Sequence, residues 1–67
     1  MNKYLTKDLD KALALLHKMS QVYVALEIDP LGRLLLKASD IANNTIVITI
    51  FDESSAKFPE INRTEPL

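Results

Sequence analysis

The sequence predicts an α+β domain: one N-terminal amphipathic helix packed on a three-stranded antiparallel β-meander, followed by an irregular C-terminal tail. Three observations predict it. Apolar residues recur at helical spacing over residues 6–19 and then at alternate positions over residues 21–29. An Asp29-Pro30-Leu31-Gly32 segment follows the alternation and reads as a turn. A β-branched run over residues 45–51 supplies the last strand.

For the helix, Leu5, Leu9, Ala12, Leu13, Leu16 and Met19 fall on one side when residues are spaced at the helical angle, a stripe broad enough to lie on a sheet. Thr6 is the expected N-cap, its hydroxyl able to accept a bond from a first-turn N–H. Asp8 and Asp10 stand in the opening turns and His17 and Lys18 in the last, the order that the helix dipole favours.

In the first strand Val22, Val24, Leu26 and Ile28 alternate with Tyr23, Ala25, Glu27 and Asp29. Pro30 supplies a fixed φ for a type I turn, and Gly32 supplies the positive φ that closes it. A three-residue loop of this kind pairs Asp29 with Arg33. The register then runs Ile28 with Leu34, Glu27 with Leu35, Leu26 with Leu36 and Ala25 with Lys37. Leu34, Leu36 and Ala38 share a face with the even-numbered residues of the first strand. That inner face is the natural seat of the helix. Residues 39–44 form a polar connection, with Asn43-Asn44 tolerant of turn geometry. In the third strand Ile46, Ile48 and Ile50 join the inner face, while Thr45, Val47, Thr49 and Phe51 join the outer one. Residues 1–51 are thus the expected domain. Residues 52–67 lose periodicity and read as a tail, either docked on the domain or free of it.

A chain of 67 residues is one domain. At this length only about 60% of the unfolded surface is buried, so small domains usually add a staple. Cysteine is absent and His17 is the single histidine, which leaves no disulfide framework and no thiolate or His-rich metal site. A partner chain is the remaining source of added stability. The formal net charge of −1 lacks the basic excess of a nucleic-acid binder, so nucleic acid is not the expected partner. The head is mildly basic and the tail mildly acidic, with Lys57 and Arg63 against Asp52, Glu53, Glu60 and Glu65. No signal-peptide pattern and no membrane-spanning run is present, so the expected location is the cytoplasm, with no membrane contact.

No constellation asks for catalysis, cofactor or metal. His17 has no Ser or Cys at a useful spacing and reads as a helix C-terminal residue. Asp8 and Asp10 are two apart on a helix and diverge. Asp52 and Glu53 alone offer too few oxygen ligands for a hard cation. One glycine cannot build a phosphate loop. Lys7, Lys11 and Lys18 share the polar side of the helix. In a dimer they could meet a phosphate backbone, which is the alternative reading; a solvated helix face is the default.

The surface carries the functional expectation. One helix covers one face of the sheet, which leaves Tyr23, Leu35, Val47, Thr49 and Phe51 on the other. Glu27, Arg33 and Lys37 form a polar rim beside them. In a three-strand meander the third strand also lies at an edge with no charge, proline or glycine to protect it. An apolar face and a bare edge together predict a non-enzymatic protein-binding module that self-associates, most simply as a homodimer, and acts as a regulator, adaptor or inhibitor of another protein.

Overall fold

The computed structural model of the chain describes residues 1–55 and 58–64, with the backbone alone for 63 and 64. Helix α1 spans Thr6–Lys18, strand β1 Tyr23–Ile28, strand β2 Leu34–Ser39 and strand β3 Thr45–Ile50. A short 3₁₀ turn at Glu53–Ser55 precedes strand β4, Glu60–Thr64. One antiparallel sheet holds the strands in the order β1-β2-β3-β4.

The helix and meander form where the sequence puts them, with a difference at the helix start. Thr6 is the first helical residue and Leu5 is the N-cap, without a side-chain cap. The Leu5 carbonyl accepts the N–H groups of Asp8 and Leu9 at 3.1 and 3.3 Å. The C-terminus is closed by a Schellman motif: Gln21 N–H donates to Leu16 and Ser20 N–H to His17, at 2.9 and 3.1 Å. Ser20 occupies the left-handed position at φ 62°, where glycine is usual.

The first hairpin has the expected register throughout, from Ile28 opposite Leu34 to Ala25 opposite Lys37. Gly32 sits at φ 80°, and its N–H donates to the Asp29 carbonyl at 2.9 Å. The Asp29 carboxylate accepts the N–H groups of Leu31 and Arg33 at 3.0 and 2.8 Å, and the Arg33 guanidinium. Residues 40–44 repeat this device. The Asp40 carboxylate accepts the N–H groups of Ala42 and Asn44, both at 2.9 Å, and the Asn44 side-chain amide. Asn43, at φ 64°, stands where Gly32 stands in the first loop.

Residues 60–64, read from sequence as part of an irregular tail, form the fourth strand instead. Ile61 lies opposite Ile48 and Asn62 opposite Val47. Strand β3 is therefore interior, and the bare edge expected there does not exist. The edges of the sheet are β1 and β4. Lys57, Glu65, Pro66 and Leu67 of the expected tail lie outside the described residues.

The N-terminal segment is clipped to the end of β3. Lys3 N–H donates to the Asp52 carboxylate at 2.9 Å, and Glu53 N–H donates to the Lys3 carbonyl at 2.8 Å. The Tyr4 hydroxyl donates to the Gly32 carbonyl at 2.7 Å, tying the same segment to the tip of the first hairpin.

The core lies between α1 and the two central strands. Ala12 and Leu16 pack on Leu36 and Ala38 of β2 and on Ile46, Ile48 and Ile50 of β3, and all seven are buried. A helix with its side chains is about 10–12 Å across, and strands are about 4.8 Å apart, so one helix seats on roughly two strands. The inner face was expected to be covered as a whole. Its β1 quarter is not: Val22, Val24, Leu26 and Ile28 remain 44–66% exposed.

Candidate functional site

The largest run of exposed aliphatic side chains along one element lies on the helix side of β1. Val24, Leu26 and Ile28 share the face of Leu36 and Ile48, because alternate residues of a strand point the same way. Val22 extends the row one step beyond the strand, and Leu13 rises beside it from the flank of α1, half exposed. Between helix and strand runs a shallow groove that His17, Gln21, Val22 and Val24 help to line. The Gln21 side-chain carbonyl is buried there without a hydrogen-bond partner, while its amide reaches the Met19 carbonyl at 3.4 Å. Among the described residues no strand pairs with the outer edge of β1.

The residues expected to form the contact surface are placed unequally. Tyr23 is exposed on the outer face of β1. Leu35 and Val47 are half-buried. Thr49 is buried between β2 and β4, opposite Leu35 and Glu60. Phe51 follows the end of β3, so strand parity no longer fixes its direction; it is buried and lines a cleft with Leu5 of the helix start. The rim is partly joined. Lys37 pairs with Glu27 at 3.1 Å across the first hairpin, both side chains about half exposed. Arg33 pairs with Asp29 and not with Glu27. An exposed pair such as Glu27–Lys37 contributes about 0–1 kcal/mol.

Lys7, Lys11 and Lys18 are exposed. Lys7 and Lys11 border the cleft that holds Phe51, and Asp8, Asp52 and Glu53 border it too. An anion entering there meets three carboxylates beside two ammonium groups. Lys18, near the other end of α1, is not part of that cleft.

The three loop aspartates act as structural acceptors. Burial pushes the Asp29 carboxyl up, but the Arg33 N–H, the Arg33 guanidinium and the Leu31 N–H outweigh it and hold its pKa below the usual range. The Asn44 side-chain amide and backbone N–H do the same for Asp40. The N–H groups of Ser54 and Lys3 do so for Asp52. Each carboxylate is thus engaged by backbone N–H groups and not turned toward a common point. Among the described residues no group of three His, Asp or Glu side chains could hold a metal ion, and no helix is long and apolar enough to cross a membrane.

Sequence reasoning found the residues of the β1 strip but assigned them to the core. The signal that separates the two was available in principle: one helix is narrower than the sheet. Comparison with protein-family models, with curated proteins and with solved structures finds no match to this chain.

Proposed function

We propose that this chain is a small non-enzymatic protein-binding module that self-associates through its sheet and works as a regulator, adaptor or inhibitor of another protein. The exposed aliphatic strip on β1 is the observation that supports it. Three alternate inner-face residues of one strand, Val24, Leu26 and Ile28, are left in water beside a core made of the same residue types. Exposed apolar rows of this kind mark contact surfaces.

The surface centres on Val24, Leu26 and Ile28, with Tyr23 on the reverse of the same strand and the Glu27–Lys37 pair at its margin. Light scattering after size exclusion, on the wild type and on Leu26→Asp, tests the reading. The wild type is expected at twice the chain mass, and Leu26→Asp at the chain mass with unchanged circular dichroism. A wild type that stays at the chain mass at the highest soluble concentration removes the self-association.

A further inference from the structure

We infer that a second copy of this chain joins the free edge of β1, antiparallel, about a twofold axis through Leu26, so that two four-stranded sheets become one of eight strands. The inference rests on the self-associating reading above and specifies its geometry.

Backbone phase comes first. Asp29 N–H donates to the Arg33 carbonyl at 3.0 Å, which fixes which β1 residues turn toward β2. Hydrogen-bonded and non-hydrogen-bonded pairs alternate along an antiparallel ladder. Glu27 and Ala25 therefore also face β2, opposite Leu35 and Lys37. Val24, Leu26 and Ile28 turn their N–H and C=O groups to the open edge. The residues with free backbone groups are the same ones that carry the exposed aliphatic side chains.

Register follows from the requirement that paired residues share a face. With Leu26 on the axis, it faces its own copy, and Val24 faces Ile28 of the second copy in both directions. Each of these residues both donates and accepts, which gives six new hydrogen bonds. On the reverse face Ala25 meets Glu27, so no like charges stand opposite each other. Moving the axis to Ala25 would pair Ile28 with Val22, whose N–H is already given to the Ser39 carbonyl at 2.9 Å.

The other edge lacks these properties. Strand β4 reads Glu60-Ile61-Asn62-Arg63-Thr64 and is preceded by Pro59, the charge-and-proline pattern that keeps edges apart. Strand β1 has one charged residue, Glu27, already paired with Lys37 inside its own hairpin. Pairing β1 with itself also closes the assembly at two chains, whereas pairing β1 with β4 of another copy would give a larger ring or an open filament.

Cysteine cross-linking reads this arrangement directly, because the chain has no cysteine of its own. Hydrogen-bonded antiparallel partners have Cα atoms about 5.5 Å apart, within the disulfide range of about 4.4–6.8 Å. Leu26→Cys is expected to convert to a covalent dimer on mild oxidation. Ile28→Cys alone, four residues from its own copy, is expected to stay unlinked. A mixture of Val24→Cys with Ile28→Cys is expected to give the mixed dimer, and it carries the test should Leu26→Cys fold poorly. If the wild type scatters as a dimer but neither Leu26→Cys nor the mixture links, this pairing is overturned while self-association stands. Self-linking of Ile28→Cys, or a ladder of higher oligomers, overturns it too. A wild type that remains monomeric overturns both readings.

Discussion

Two strips of one sheet face, an adjacent strand apart, differ in what surrounds them. Leu36, Ile48 and Ile50 lie under α1 on the two central strands and are sealed from water; Val24, Leu26 and Ile28 lie beside it on an edge strand and are about half exposed. Residue type and face are the same. The width of the cover and the open edge separate them. Alternation in a strand therefore specifies which side is apolar, but not what will sit on that side. Where the helix ends, a pattern that reads as core becomes an exposed apolar surface.

The widest test of that contrast is a matched truncation. Ile48→Ala removes a fully buried side chain and is expected to cost about 2–5 kcal/mol. Leu26→Ala at 66% exposure is expected to cost under ~1 kcal/mol in a dilute monomer. Urea midpoints at low protein concentration measure both, and equal losses would erase the distinction between the strips.

A smaller effect sharpens the same contrast, because β1 is held from one side only. Gly32 fixes the turn from which it hangs. A Cβ there would stand 2.9 Å from the Asn2 side-chain oxygen and on a backbone at φ 80°. Gly32→Ala is expected to cost about 1–2 kcal/mol. In hydrogen exchange the β1–β2 amides should lose protection before those of β3. A uniform loss along the whole sheet would show that the two strips are not independently held.

Acid provides the mildest probe. Asp29 and Asp40 have folded pKa values below their usual range. A lowered folded pKa means stability that is fully present above the unfolded value, near 3.9, and lost as pH falls through the folded value. Thermal midpoints should hold steady down to about pH 4 and drop below it. Asp40→Asn should flatten part of that drop, leaving the shares of Asp29 at the β1 turn and of Asp52. A midpoint indifferent to pH between 5 and 2 would contradict the role given to these loops.

Much of the scaffold was legible in the residues. Helical spacing placed α1, and Asp29-Pro30-Leu31-Gly32 fixed the first hairpin to the residue, since turn chemistry and side-chain parity agreed there. Strand β4 was not legible, because one apolar residue in Glu60-Ile61-Asn62-Arg63-Thr64 gives no period to count. The second loop was read only as tolerant of a turn, although Asp40 and Asn43 repeat the spacing of Asp29 and Gly32. Thr6 looked like a cap by residue type, yet the helix begins one residue earlier in the chain's geometry, at the carbonyl of Leu5. Phe51 was assigned by extending strand parity one residue past the point where β3 stops. The exposure of the β1 strip was not legible, because the inner face was counted as covered, a question of widths that no period in the sequence contains.

The chain-neighbour pairing of all four strands has a kinetic consequence. Every ladder joins segments consecutive in sequence, so the sheet can assemble by zipping outward from two short loops, each hairpin forming on a timescale of about 1–10 μs. The fastening between Lys3 and Asp52 joins residues 49 apart in sequence. Closing so large a ring before the hairpins exist would carry the greatest entropic penalty in the molecule, which makes it a late event and the hairpins the early ones.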